Sequence, residues 1–184
     1  MIASPTPKLM TAEELERLPD NGTRYELLKG ELVEMAPPGG EHGGLAVVIV
    51  VPLSNHVLSH QLGRVMVETG YKLARNPDVV RSPDVSFLRQ ERIPASGLPR
   101  GYIDGPPDLA VEIVSPGDTA EDMEAKVQDY LTYGTRLVCV VQPRTRTVTV
   151  YHPDGRARVL RGEDALDGEE VVPGFTLALT ELWG

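Results

Sequence analysis

The run DLAVEIV, residues 108–114, is the most strand-like stretch of this 184-residue sequence, and it carries a carboxylate in its middle. A strand period of two places Leu109, Val111 and Ile113 on one face and Asp108, Ala110, Glu112 and Val114 on the other. A charge held among apolar neighbours without a partner is costly or is neutralised, so Glu112 calls for a basic side chain or a metal. A second carboxylate, Asp84, stands in Ser82-Pro83-Asp84-Val85. Proline lacks an amide donor and is tolerated at a strand's first residue, which places Asp84 near a sheet end. Carboxylates on two neighbouring strands, with the Ile113 carbonyl as a third oxygen, make a hard site suited to Mg²⁺ or Mn²⁺. Such an ion polarises a phosphoryl oxygen and acidifies bound water, and the reaction class is phosphodiester hydrolysis. Two structural readings stand beside this one: Asp84 as a strand-start cap, and Glu112 in an ion pair with Arg81 or Arg136.

The elements that must position these groups are legible in outline. Thr11-x-x-Glu14 is a capping box that opens a short helix with Leu15 and Leu18 as its apolar positions and Pro19 at its end. YELLKGELVEM, residues 25–35, reads as a hairpin turning at Lys29-Gly30. Residues 41–62 mix a β-branched run with helical spacing at Leu53, Val57, Leu58 and Leu62, and the favoured reading is a helix kinked near Pro52. Strands are expected at 63–67, 71–74 and 83–88, then a Pro- and Gly-rich loop over 93–107. The 108–114 strand is followed by a turn at Ser115-Pro116-Gly117-Asp118 and a helix over 120–133, capped by Asp118 or Thr119 and stopped at Gly134. An apolar strand at 136–141 completes a βαβ unit. A hairpin turns at Pro153-Asp154-Gly155, and Phe175, Leu177, Leu179, Leu182 and Trp183 pack back on the core.

Composition limits the possible partners. With 18 basic and 27 acidic side chains the chain carries a formal charge of −9, which excludes a protein that coats nucleic acid by bulk charge. One cysteine, Cys139, rules out a disulfide framework and fits a reduced, buried thiol. The longest apolar stretch, residues 45–53, is far shorter than a membrane span, and the first ten residues lack the pattern of a signal peptide. A soluble cytoplasmic protein without membrane attachment is the expectation, forming one domain over 1–184 with residues 1–9 as a flexible lead-in.

Four ordered blocks resemble the Uma2 group of bacterial proteins, within the PD-(D/E)xK or restriction-endonuclease-like superfamily. They are RYELLKGELVEM with Pro37-Pro38 and His42; RSPDVSFL; PDLAVEIVSPGD; and the helix bearing Lys126, Tyr130 and Gly134. Together they run from Thr11 to Val141, and the terminal hairpin and GFTLALTELW are also similar. The resemblance implies an α/β (α+β) fold: a restriction-endonuclease-like core with a mixed central sheet flanked by helices and additional β-hairpins. It implies Asp84 and Glu112 as the motif acids. The motif lysine two residues after the second acid is replaced by Val114, and Lys126, on the following helix, is the candidate that takes its place. Lys126 would orient a water or stabilise developing negative charge.

The same resemblance makes Glu31 a candidate third metal ligand, since the wider fold often brings an acid from its amino-terminal element. It also makes His42 and Tyr130 auxiliary candidates, with DNA as substrate and a homodimer or higher homo-oligomer as the assembly. For Glu31 the competing reading is a solvent-facing strand residue, for His42 a local hydrogen bond, and for Lys126 a solvated helix face. His56 and His60 have the spacing of a zinc pair but no third ligand, and Ser115 with Lys126 makes a weak case for a Ser-Lys dyad. Relatives show a strand like EYWIVDP where this chain has LVCVVQP, so Leu137, Val138, Cys139 and Gln142 depart from the pattern. The function expected is metal-dependent DNA cleavage; the rival is a catalytically inactive nuclease fold serving as a binding or assembly module.

Overall fold

In a computed structural model, which describes residues 9–19 and 21–184, these segments fold as α1 (Ala12–Glu16), β1 (Arg24–Leu28), β2 (Glu31–Met35), α2 (Gly40–Ser59), β3 (Gly63–Val67), β4 (Tyr71–Ala74), β5 (Val79–Arg81) and β6 (Val85–Arg89). There follow β7 (Ile103–Asp104), β8 (Leu109–Ile113), α3 (Ala120–Thr132), β9 (Leu137–Gln142), β10 (Thr147–Tyr151) and β11 (Ala157–Arg161). A ribbon of β12 (Ala165–Asp167) and β13 (Thr176–Ala178) leads into α4 (Leu179–Trp183). The expected flexible lead-in lies, except for Leu9, outside the described residues.

The central layer is a six-stranded mixed sheet in the order β11-β10-β9-β8-β6-β3. β8 and β9 are parallel, joined by α3, which is the expected βαβ unit, and the other neighbours are antiparallel. Both faces of this layer are covered. Leu109, Val111 and Ile113 pack with Leu45, Ile49, Leu53 and Val57 of α2 and with the carboxy-terminal Phe175, Leu177, Leu179 and Leu182. Ala110, Val138 and Val140 pack on the opposite face with Met123, Val127 and Tyr130 of α3. This two-sided burial is why β8 and β9 read as near-continuous apolar runs. Burial also pushes the Cys139 thiol on β9 up to about 12, which leaves it inert.

A second sheet, β2-β1-β5-β4-β7, lies beside the first and is backed by α1, with Ala12, Leu15, Leu27 and Val80 forming a small core of their own. Its hairpin turns at Lys29-Gly30, where both residues adopt positive φ, as a tight two-residue turn requires. The expected capping box forms at Thr11 with Glu14, and Thr119, rather than Asp118, caps α3 in a second box with Asp122.

Several expectations need adjustment. The strand expected from residue 83 starts at Val85, because Pro83 has no amide to give the ladder and Asp84 turns its carboxylate to a neighbouring strand. β5 is an additional strand, three residues being too few to show a period, and β7 lies inside the expected loop. α2 ends at Ser59, short of Leu62, and accommodates Pro52. By length and composition α2 is one helix that is long and apolar enough to cross a membrane, although its inner face is buried against the central sheet.

Candidate active site

The sheet register alone brings the two motif acids together. β6 and β8 run antiparallel with Val85 opposite Val111, so Asp84, one residue before, faces Glu112. Asp84 Oδ2 accepts the Ile113 backbone N–H at 2.7 Å, tying the start of β6 to the end of β8. Its Oδ1 lies 3.0 Å from His42 Nε2. Because an ionised carboxylate only accepts, that nitrogen carries the proton, and the other, His42 Nδ1, meets Ser115 Oγ at 2.9 Å. His42 reaches this point because α2 begins at Gly40, so its first turn opens onto the site.

Glu112 is buried, 1% exposed, and both its oxygens are engaged. Lys126 Nζ donates to Oε2 at 2.8 Å and the Tyr130 hydroxyl donates to Oε1 at 2.7 Å. Lys126 and Tyr130 are one turn apart on α3 and share its inner face, which the crossover lays over the side of β8 that Glu112 occupies. Lys126 is therefore not on a solvated face, and neither Arg81 nor Arg136 is the partner of Glu112. Arg136 reaches Glu170 instead.

Arg81 belongs to a second buried network. It donates to Glu26 Oε2 at 2.7 Å and pairs with Asp129 of α3, while the Ser82 N–H donates to Glu26 Oε1 at 2.8 Å. Glu26 is the acid that the amino-terminal hairpin brings to the site. Glu31, the acid expected there, is exposed at the hairpin tip opposite Leu28, at the end of β2 away from the cleft. The missed signal was the same one that marked Glu112: a carboxylate flanked by apolar residues in a strand, here Tyr-Glu-Leu. The remaining candidates resolve as structural contacts. His56 and His60 stack on each other with ring centroids 4.3 Å apart and bond backbone carbonyls, and Ser115 is engaged by His42 rather than Lys126.

The electrostatics follow from this crowding. Burial pushes Glu112 up to about 7, with Asp84 and Glu26 adding like charge and Lys126 opposing them. Burial alone would lower Lys126, but Glu112, Glu26 and Asp84 overcome it, and the lysine is held firmly as an ammonium. The hydrogen bond to Asp84 raises His42 against its own partial burial. Burial raises the Tyr130 hydroxyl well above its usual range, so it remains a donor.

Asp84 and Lys126 sit where two lobes of one cleft meet. The larger, about 410 Å³, runs past Glu112, Ser115, Pro38 and His42. The smaller, about 260 Å³, runs between the end of α1 and Tyr102. Arg24, Glu26 and Met35 also line both. The donor set suits a hard cation: Asp84, Glu112 and the backbone at Ile113 offer only oxygen, and Mg²⁺ commonly takes one or two carboxylates and keeps several waters. Among the described residues no group of three or more His, Cys, Asp or Glu side chains forms a ready cage. Lys126 and His42 each engage one of the acids, and a cation would share the remaining oxygen lone pairs of Asp84 and Glu112 with these partners.

A model of the Uma2 family, described as "Putative restriction endonuclease", matches residues 12–180. Among solved structures, the chain is similar to the crystal structure of "a putative nuclease belonging to DUF820" from Anabaena variabilis ATCC 29413. The two share 22% identity over 95% of this chain and 97% of that one, with a TM-score of 0.85, a likeness of fold. No curated protein matched the chain.

Proposed function

The chain belongs to the Uma2 family, and from that membership and the geometry of its cleft we propose that it is a divalent-metal-dependent nuclease that hydrolyses DNA phosphodiester bonds. The observation that carries the reading is the convergence of three groups from separate elements, Asp84 and Lys126 at the junction of the two lobes and Glu112 beside them in the larger one. Asp84, Glu112 and the Ile113 carbonyl would hold Mg²⁺ or Mn²⁺. The ion, when bound, supplies Lewis-acid polarisation of the phosphoryl oxygen and a more acidic water. Lys126, fixed as an ammonium, would present positive charge to the phosphoryl oxygens as negative charge builds on them. Tyr130 holds the Glu112 carboxylate in place. His42, bridged between Asp84 and Ser115, orients Asp84. Lysine two residues after the acid is unnecessary here, because α3 delivers an ammonium to the same carboxylate from above the sheet.

One observation favours a second reading, a nuclease fold retained as a binding or assembly module: each oxygen of Asp84 and Glu112 already has a partner within the chain. Incubating the protein with plasmid and single-stranded DNA in Mg²⁺ or Mn²⁺, beside Glu112→Gln, separates the two. Cleavage that disappears in the variant is expected; equal background cleavage by both proteins selects the module.

A further inference from the structure

Both lobes mix charged and apolar lining. The larger runs past Glu112 and the Pro38 and Ser115 loops, and the smaller sets Leu15, Leu18, Pro19, Tyr25 and Tyr102, which the larger lacks, beside Glu16, Glu26, Glu68 and Asp84. We infer that the smaller lobe is a nucleobase pocket, and that the substrate is single-stranded or locally unpaired nucleic acid whose base, next to the reacting phosphate, is taken into it. This rests on the nuclease reading for the larger lobe and adds the kind of strand it receives.

Three observations carry it. The pocket adjoins Asp84 and Lys126, so a base seated there leaves its own phosphate at the acids. Its volume, about 260 Å³, lies just below the ~300–1,000 Å³ of drug-sized sites, which suits one ring system rather than a larger ligand. Tyr102 is set in place: Gly70 lies against its ring so closely that a Cβ there would fall 2.4 Å from it, and its backbone N–H is anchored on Glu16 Oε1 at 2.6 Å. The hydroxyls of Thr23 and Ser82 and the carboxyl groups of Glu16 and Glu68 stand beside the apolar and aromatic side chains, polar groups of the kind that read the edge of a base removed from its stack.

Charge argues for the same strand. Duplex binding draws on lysine and arginine contacts to phosphates. Among the described residues lining the cleft, each such cation is already paired: Arg24 with Glu68, Arg81 with Glu26 and Asp129, Lys126 with Glu112. In a chain of charge −9 this weakens phosphate contacts to single and double strands alike, and only an unpaired strand can add stacking of its bases on aromatic side chains.

The test is fluorescence anisotropy in EDTA with a dye-labelled single-stranded 12-mer, the same sequence as duplex, and an all-abasic strand of equal phosphate count. Wild type should bind the single strand about tenfold or more tighter than either control. Leu18→Trp, which fills the pocket, and Tyr102→Ala should lose about that factor, while Tyr102→Phe keeps it. Thermal unfolding confirms that each variant is folded, and the Tyr102 pair decides the matter if Leu18→Trp is not. Equal binding of all three nucleic acids, no binding of any, or full binding by folded Leu18→Trp overturns the inference. Failure of the nuclease reading looks different: single-strand binding persists, but no cleavage in Mn²⁺ depends on Glu112.

Discussion

Replacing Lys126 by methionine removes the ammonium from Glu112 while keeping the length of the side chain. In the wild type, burial has already lifted Glu112 up to about 7, and Lys126 restrains any further rise. Without Lys126 the carboxyl group, 1% exposed and close to Asp84 and Glu26, moves higher still. An acid whose folded pKa exceeds its unfolded one holds its proton more tightly when folded, so stability falls as pH rises between the two values. Wild type and variant share that loss up to the wild-type value and then diverge, because only the variant continues to lose stability, at about 1.4 kcal/mol per pH unit. Above about pH 7 the difference should widen until the variant's own Glu112 value is passed, toward the ~3–5 kcal/mol that follows removal of half a buried pair. At about pH 5.5, with Glu112 protonated in both, the two proteins should agree within about 1 kcal/mol. Urea unfolding followed by circular dichroism over this pH range measures this, with Lys126→Met/Glu112→Gln as the control that removes the titrating group and the divergence together. A loss of the same size at every pH, or none at high pH, would refute the reasoning, because the cost would then not come from an unpaired carboxylate.

Tyr130→Phe keeps the buried ring and deletes the donor to Glu112 Oε1, so denaturant unfolding near neutral pH should show a loss of about 1.5–3 kcal/mol. His42 has a raised pKa through Asp84, so its contribution is complete below the unfolded histidine value and is lost as pH rises through the folded one. Metal-free thermal unfolding should therefore separate His42→Gln from wild type at about pH 5.5 and bring the two together at about pH 8.5. Mn²⁺ at ~100 times its dissociation constant should stabilise wild type by about 2.7 kcal/mol, seen as a higher Tm, and the gain should be absent in Asp84→Asn and Glu112→Gln. On the inner face of α2, Ile49→Ala removes a fully buried side chain and should cost about 2–5 kcal/mol in chemical unfolding, without altering the Mn²⁺ effect.

What the sequence by itself determined was local and periodic. The Thr11 capping box, a cap for α3 at Asp118 or Thr119, the turn at Lys29-Gly30, the two-sided strands β8 and β9 and the crossover helix between them were all legible, because each depends on residues a few positions apart. Asp84 and Glu112 were legible as candidates because a carboxylate in a strand's apolar stretch needs a partner. Which partner was a tertiary matter. Lys126 and Tyr130 reach Glu112 only because β8 and β9 are parallel and α3 must cross that face of the sheet. Arg81 was turned away from Glu112 by β5, a three-residue strand with no readable period, which delivers it to Glu26. The choice of Glu26 over Glu31 was decided by position along the hairpin: both acids lie on its strands, but one is at the cleft and the other at the exposed tip. Spacing along a chain fixes which side chains share a face; the stacking of one sheet and helix on another fixes which charges must neutralise each other in the space between.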